Sequence, residues 1–384
     1  MQNMLMAVSL ILTSINTFSQ NSFSSTHGGE GFDRGMYIAH TADKGYIVSG
    51  YTRSFGDNYD MYVVKIDASG HQQWHKNYGA NKLEIGWSII ELKNNGYLLH
   101  GSTTIDSTND DIYLLRLDTK GNVIWQKTYG NNKYERTTQV LQTSDNNYLL
   151  IGQRNHDSTN IDSYVLKIDT AGNLLWEKTF GGPKNERTYY GAETPDGDFL
   201  ISGSTLPYQN NKADILLMRI SPQGNLIWTK TYGEENVHDI AHSFCRNKNR
   251  KNYTLTGYIE SAQPGVHDGL FMQLDESGNL LTQKRHHTGD DIRLMHAEET
   301  EDGGFVATGY SRKDITKNIH DAVLLKFNKK GEPVWMKTFG DPEKDDQGYW
   351  IVTNRDGGFT LTGYTNTYGK NGDLWVIKTN SSGN

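Results

Sequence analysis

The chain has 384 residues, including 40 glycines, 22 tyrosines and only 7 prolines. Its formal net charge is −7 and its pI is about 6.0, which excludes the broad basic surface that a general nucleic-acid-binding protein carries. The many glycines and aromatic residues are typical of short strands joined by tight turns. We therefore expect an all-β protein without a nucleic-acid partner.

Residues 1–20 resemble a secretory signal peptide. They read MQNMLMAVSLILTSINTFSQ, with an apolar run from Leu5 to Leu12 followed by small and polar residues. The run is too short for a mature membrane-spanning helix, although no Lys or Arg precedes it as in a usual signal. The only cysteine, Cys245, excludes an internal disulfide. We expect a secreted or periplasmic monomer without a transmembrane segment.

Residues 21–384 repeat one pattern seven times. Four tryptophans, spaced by 51, 51 and 52 residues, mark the period: Trp74, Trp125, Trp176 and Trp228. Thr282 and Trp335 continue the series. In the clearest copy, four strand-like segments a to d cover 136–143, 148–153, 163–168 and 173–180. Four short antiparallel strands per copy predict a single-domain, seven-bladed β-propeller.

The two ends of the chain predict how the ring closes. The seventh copy stops at Asn384, where its strand d should begin. Residues 23–29 align with residues 176–182, and Phe23 takes the place of Trp176. The N-terminal strand should therefore complete the last blade, which removes the exposed sheet edges of an open ring.

Residues that recur in every blade are interpreted as structural. An aspartate opens each strand c: Asp60, Asp111, Asp162, Asp214, Asp268, Asp321 and Asp373. One carboxylate per blade is a poor calcium cage, so we expect these side chains to cap their own turns. The recurring tryptophans should wedge between neighbouring blades.

The spacing Asp67/Gly70/Trp74 carries a family resemblance. This D-x-x-G-x-x-x-W pattern resembles the blade repeat of quinoprotein-like propellers, and the fuller repeat is similar to propeller repeats of exported Bacteroidetes proteins. The resemblance covers about residues 22–384 and implies the fold. It implies no cofactor, because no residue matches a quinone site, and it implies no particular function.

Function should lie where the blades differ. Strand a is the innermost strand, and the fourth residue after its acidic start gives one site per blade: Tyr37, Ser88, Gln139, Tyr190, His242, His296 and Trp350. The ends of strand b should join the same rim, adding a further set: Arg53, Arg154, His156, Tyr258, Tyr310 and Arg312. We expect a central funnel rich in Tyr, His and Arg.

This residue mixture favours an acidic polysaccharide or oligosaccharide. Aromatic rings stack on sugars, and Arg binds carboxylates in bidentate fashion. The leading hypothesis is a β-eliminating lyase on a uronate, by architectural analogy with seven-bladed ulvan lyases, with which no sequence motif is shared. His242 and His296 are the candidate bases, Tyr190 the acid and Arg154 the carboxylate partner. The substrate-binding candidates are Tyr37, Gln139, Trp350, Arg53, His156, Tyr258, Tyr310 and Arg312.

Other functions remain open. Propellers host many unrelated activities, so a non-catalytic glycan- or protein-binding propeller of the cell envelope is the alternative, and a purely structural envelope component is a third. Blade five concentrates several histidines, at His238, His242, His286 and His287, close in sequence to His296. None has a strong zinc-motif spacing, so we expect no metal ligand set, with a structural Zn²⁺ or Ca²⁺ as a minor option.

Overall fold

The computed structural model describes residues 22–384, apart from 80–81, 94–95, 107–108, 132, 156–159, 207–211 and 248–251. The signal peptide expected at residues 1–20 lies outside the described residues. The described part contains twenty-eight strands, and no helix in it could cross a membrane. The predicted all-β class is confirmed.

Seven antiparallel sheets of four strands form the seven blades, as predicted. Blade 1 comprises β2 (Asp33–His40), β3 (Tyr46–Thr52), β4 (Asp60–Ile66) and β5 (Gln72–Tyr78). Blade 2 comprises β6 (Glu84–Glu91), β7 (Tyr97–Asp106), β8 (Asn109–Leu117) and β9 (Val123–Tyr129). Blade 3 comprises β10 (Glu135–Gln142), β11 (Tyr148–Asn155), β12 (Ile161–Ile168) and β13 (Leu174–Phe180). Blades 4 and 5 comprise β14 (Asn185–Glu193), β15 (Phe199–Leu206), β16 (Asp214–Ile220), β17 (Leu226–Tyr232); and β18 (Asp239–Arg246), β19 (Asn252–Glu260), β20 (His267–Asp275), β21 (Leu280–His286). Blade 6 comprises β22 (Asp291–Glu299), β23 (Phe305–Arg312), β24 (Asp321–Phe327) and β25 (Pro333–Phe339).

Blade 7 is assembled from both ends of the chain. Its strands a to c are β26 (Asp346–Thr353), β27 (Phe359–Thr365) and β28 (Asp373–Thr379), and its strand d is β1 (Phe23–His27). The register runs antiparallel from Phe23 opposite Lys378 to His27 opposite Leu374. The predicted closure by the N-terminal strand is confirmed.

Aromatic side chains on strand d hold neighbouring blades together. The indole of Trp74 lies over Gly121, whose φ of +75° is left-handed and where an added Cβ would come within 3.0 Å of the ring. Tyr78 Oη donates a hydrogen bond of 2.7 Å to the Gly121 carbonyl. Phe23 covers Gly70 in the same way at the closing blade. The predicted wedging of these aromatic residues between blades is confirmed.

The strand-c aspartates are bound in more than one way. Asp162 Oδ1 accepts a hydrogen bond of 3.4 Å from Asn160 Nδ2, two residues earlier in the same turn. Asp60 Oδ2 instead accepts a bond of 2.6 Å from Asn77 Nδ2, near the end of strand d. The expected capping of their own turns is therefore correct in part, because some of these aspartates tie strand c to strand d.

Removing the closing strand should destabilise the ring. A chain that starts at Gly28 lacks β1, which exposes the edge of β28 and loses the contact of Phe23 with Gly70. We expect a free energy of unfolding lower by at least about 2 kcal/mol, the value of burying one Phe side chain, and self-association through the open edge. Urea unfolding and size-exclusion chromatography against a chain starting at Ser22 would measure both, and equal stability of the two chains would contradict closure by β1.

Candidate functional site at the mouth of the central channel

Strand a of every blade runs from one end of the channel to the other and carries a bulge near its middle. In blade 1, Arg34 pairs with Tyr51 and Gly35 with Gly50, but the next pair joins Tyr37 to Ser49, so that Met36 is the extra residue. The residue after the bulge supplies a side chain to the middle of the channel. The bulge residue and the second residue of the strand lie nearer the end where strand a begins, which we call the mouth.

Four of the predicted ring residues fill the middle of the channel. The Trp350 ring centroid lies 4.3 Å from that of Tyr37, 5.1 Å from Tyr190 and 3.5 Å from His296, on which it stacks at 16°. Tyr190 belongs to blade 4 and Trp350 to blade 7, so side chains from opposite sides of the ring meet. The channel therefore has a closed floor at this level and is not an open funnel.

The floor residues make hydrogen bonds within the protein. His296 Nδ1–H donates to the Ile351 carbonyl over 3.1 Å, and burial lowers the pKa of His296 to about 3. Burial raises the pKa of the Tyr190 phenol well above its usual value. Gln139 Oε1 accepts a hydrogen bond of 2.8 Å from the Gly191 amide in the next blade. The predicted base His296 and acid Tyr190 thus lie in this packed layer.

The predicted alignment of blade 5 is wrong by one residue. β18 begins at Asp239, and its bulge lies between Ala241 and Ser243. Ser243, not His242, therefore takes the position of Tyr37, and Asp239, not His238, takes the acidic position. His242 is the bulge residue, and it lies above the floor.

Arg34 lies among four aromatic rings at the mouth. Its guanidinium carbon lies between 4.3 and 5.8 Å from the ring centroids of Phe32, Tyr51, Tyr349 and Tyr364. Blade 7 supplies Tyr349 and Tyr364, so the cluster joins two blades. The Arg34 Nε is buried and has no hydrogen-bond partner among the described residues. Such an orphaned donor is unusual, because buried polar groups are nearly always paired.

Arg136 and Arg293 repeat this arrangement in blades 3 and 6. The Arg136 guanidinium lies 3.7 Å from the Trp87 ring centroid, and that of Arg293 lies 5.0 Å from Tyr258. The Nε atoms of both arginines are also buried without a hydrogen-bond partner in the described part of the chain. Arg293 Nε is 3.9 Å from Asp291 Oδ1, but no described carboxylate forms an ion pair with Arg34 or Arg136. Arg34 and Arg136 therefore carry positive charge without an ion-pair partner in the described part of the chain.

His242 lies beside the arginine of blade 6 and between two phenols. Its ring centroid is 5.4 Å from Tyr189 and 5.5 Å from Tyr258. Burial, with help from the nearby charges of Arg293 and His238, lowers the pKa of His242 to about 4. The imidazole is therefore neutral at pH 7.

Two histidine–aspartate pairs surround the same rim and were not predicted. His267 Nδ1 lies 2.7 Å from Asp291 Oδ1, and His320 Nδ1 lies 2.6 Å from Asp345 Oδ1. The Tyr258 ring meets His267 edge-on at 4.9 Å. The sequence held a signal for them, because only blades 5 and 6 place a histidine directly before the strand-c aspartate.

Two predicted arginines are engaged in ion pairs. Arg154 Nε donates to Glu135 Oε1 over 2.8 Å, and its guanidinium lies 3.8 Å from the Tyr164 ring, which is on strand c. Arg312 Nη2 donates to Asp291 Oδ2 over 2.8 Å. The structure therefore places neither guanidinium with Arg34.

The other predicted residues are divided between the mouth and its rim. Tyr258 and Tyr310 lie at the mouth, where Tyr310 meets His320 edge-on at 5.0 Å. Arg53 is exposed, 5.8 Å from the Tyr59 ring centroid. His156 lies outside the described residues.

The histidines of blade 5 do not form a shared metal site in the part of the chain that the structure describes. His286 packs against Phe327 with a centroid distance of 4.6 Å, and His287 Nδ1 lies 2.8 Å from Asp268 Oδ1. Among the described residues, no three His, Cys, Asp or Glu side chains are grouped so that they could hold a metal ion.

Comparison with known proteins supports the fold. No protein-family model matches the chain, and no curated protein matches it. A protein of unknown function from Dyadobacter fermentans is similar in structure, with a TM-score of 0.52 and 12% identity over 78% of this chain and 95% of that chain. A subtype N10 neuraminidase-like protein of A/little yellow-shouldered bat is more distant, with a TM-score of 0.47 and 8% identity over 77% of this chain and 93% of that chain. A gluconolactonase from Xanthomonas campestris has a TM-score of 0.44 and 11% identity over 92% of this chain and 99% of that chain. At 12% identity, the likeness to the Dyadobacter fermentans protein concerns the fold alone.

The buried histidines should make stability depend on pH. The folded protein holds the pKa of His296 and His100 at about 3, well below the value of about 6.5 in an unfolded chain. Below pH 6.5 the unfolded state therefore binds protons that the folded state refuses, so stability falls as the pH drops from 6.5 towards 3 and is full above 6.5.

Each of these histidines should cost about 2 kcal/mol of stability at pH 5, relative to pH 7.5. His296→Phe keeps a ring against Trp350 and should reduce the loss by about that amount. Urea unfolding at the two pH values would measure the difference. An unchanged pH dependence in His296→Phe would show that His296 titrates normally in the folded protein.

Proposed function

We propose that the protein binds an acidic oligosaccharide at the mouth of its central channel. The observation that carries this proposal is the set of arginines at the mouth. Arg34 and Arg136 lie beside aromatic rings, their buried Nε donors lack partners, and neither forms an ion pair with a described carboxylate. In a chain of net charge −7, two half-buried guanidiniums without an ion-pair partner favour an anionic ligand beside them.

The residue types fit a uronate better than a simple inorganic anion. A guanidinium can donate two parallel hydrogen bonds to a carboxylate, which a small spherical anion cannot accept in the same way. The neighbouring rings of Tyr51 and Trp87 are half-buried and offer apolar surface for the faces of sugar rings. The closed floor at Trp350 restricts such a ligand to the mouth.

Related expectations accompany this proposal. We propose that the protein is exported to the periplasm or beyond, with residues 1–20 as its signal peptide, that it acts as a monomer, and that binding needs no cofactor. The repeat pattern that resembles exported Bacteroidetes propellers supports export, as does the apolar run from Leu5 to Leu12.

Arg34→Gln and Arg136→Gln should each weaken the binding of oligogalacturonate tenfold or more. A hydrogen bond to a charged group contributes about 1.5–3 kcal/mol, and 1.4 kcal/mol is one decade of affinity. Isothermal titration at low salt would measure the change. Arg246→Gln is the matched control, because Arg246 is exposed at the opposite end of strand a.

The affinity of the wild-type protein should also fall as salt rises, since the contacts are ionic. Equal affinities of the wild type, Arg34→Gln and Arg136→Gln would place the binding site elsewhere.

A second candidate function is β-elimination at the same mouth, favoured by the position of His242. Neutral His242 would take the proton from C5 of the uronate, and the C5–H electron pair would form the C4–C5 double bond. The C4–O4 bond would break, and Tyr258 would give its phenolic proton to the departing oxygen, while Arg293 stabilises the enolate-like charge on the carboxylate. In this scheme His242 is the base and Tyr258 the acid, both above the floor, instead of His296 and Tyr190 within it.

If elimination occurs, His242→Gln should reduce its rate at least a hundredfold, since general base catalysis contributes about 10²–10⁴-fold. The appearance of the ultraviolet absorbance of the new double bond would follow the reaction. In the wild type, kcat/KM should decline as the pH falls towards 4, where His242 becomes protonated. His296→Phe is the control, and a loss of activity in that variant with full activity in His242→Gln would reverse the assignment.

A further inference from the structure

A second concave site lies at the end of the ring opposite to the mouth. It is a groove of about 530 Å³ between blades 7 and 1, where the turns between strands a and b of the two blades face each other. This volume is within the range of small-molecule sites, roughly 300–1,000 Å³. The residues that matter here are His40, Lys44, Tyr46, Asn354, Arg355 and Lys378.

The acidic residue of each turn is already paired, and two further carboxylates, Glu91 and Glu298, accept hydrogen bonds of 2.8 Å from the backbone of these turns. Asp43 binds Lys65 at 2.8 Å, and Asp356 binds Lys378 at 3.1 Å. Lys44 directly follows Asp43, is exposed, and has no carboxylate partner among the described residues.

Arg355 directly precedes Asp356 in the facing turn. It is likewise exposed, and no ion pair of the described residues includes it. Two unpaired cations therefore stand on the two turns that line one groove.

Lys44 also has a backbone conformation that a lysine rarely adopts. Its φ is +70°, and the same hydrogen-bonded turn position in other described blades holds only Asn or Gly: Asn146, Gly197, Gly303 and Gly357. Glycine takes this conformation without steric cost, and Asn tolerates it through its short polar side chain. A lysine in this conformation is strained, and such strain is found more often at functional sites.

We propose that this groove is a second binding site, specific for a small carboxylate-bearing sugar of about disaccharide size. The Lys44 ammonium and the Arg355 guanidinium bind the carboxylate from the two facing turns. The buried Tyr46 and Asn354, joined by a hydrogen bond of 3.0 Å, form a rigid wall behind them. The site lies on another face from the channel mouth and does not depend on the function proposed there.

The test is a titration of the full chain with digalacturonate, followed by backbone amide chemical shifts. We expect saturable shifts at residues 41–46 and 353–356 in the wild type. Lys44→Gln and Arg355→Gln should each weaken this binding at least tenfold. Lys120→Gln, which removes an exposed lysine from a distant turn, and Arg34→Gln at the mouth should leave it unchanged.

A second readout separates the charge of Lys44 from its strain. Lys44→Gly removes both, so it should lose binding and unfold at a higher temperature than the wild type, whereas Lys44→Gln should lose binding without that gain. An unchanged or lower unfolding temperature in Lys44→Gly would contradict the claim that the turn is strained.

Two other results would overturn the proposal. The first is the absence of shifts at residues 41–46 and 353–356 with digalacturonate. The second is equally tight binding of inorganic phosphate there, which would make the groove a general oxyanion site. Because Arg34→Gln removes only the mouth, loss of shifts at the mouth with shifts kept in the groove would separate the two sites.

Discussion

The contact between the aromatic anchor of one blade and the tight turn of the next holds this ring together. Trp74 over Gly121 shows what both partners need, because a side chain on the glycine would crowd the indole, with its Cβ only 3.0 Å away. In blade 5 the anchor tryptophan is replaced by Thr282, and Phe271 covers the glycine of the next blade, Gly331, instead. The repeat can therefore vary its residues as long as a ring covers the turn. The closure by β1 follows from the same contact, since Phe23 completes the series.

A ring closed in this way brings its innermost strands together around the channel. The side chains that they supply differ between the middle of the channel and its mouth. At the level of Trp350, large side chains meet and exclude space, so the channel is filled. Nearer the mouth, the bulge in strand a brings arginines and aromatic rings side by side. There the protein leaves guanidinium donors unsatisfied, which is costly in a folded interior unless a ligand supplies the acceptor.

The fold was predictable from the sequence because every blade repeats the evidence for it. The period of the tryptophans, four strand segments per copy and the alignment of residues 23–29 together define seven blades and their closure. The candidate site was predictable only in its residue types. Equal spacing from the start of strand a identified the residues that reach the axis, but spacing cannot show that Trp350, Tyr37 and Tyr190 are large enough to meet and close it. The arginines at the second position of strand a, Arg34 and Arg136, were passed over because they were not on the counted position.

Local divergence explains the error in blade 5. His238 precedes Asp239, and counting from the histidine moved the whole alignment by one residue, so that His242 was placed in the floor instead of above it. The ion pair of Arg154 was not predicted for another reason, since its partner Glu135 is distant in sequence and only pairing of strands brings the two together. The repeat alone does not show which side chains on neighbouring strands contact each other.

The most direct test of the account is a crystal structure of the protein with trigalacturonate. We expect a uronate carboxylate within hydrogen-bond distance of the Arg34 or Arg136 guanidinium, with a sugar ring against one of the neighbouring aromatic residues, above the floor formed by Trp350. A mouth that stays empty at saturating ligand, with Arg34 and Arg136 still unpaired, would contradict the central claim.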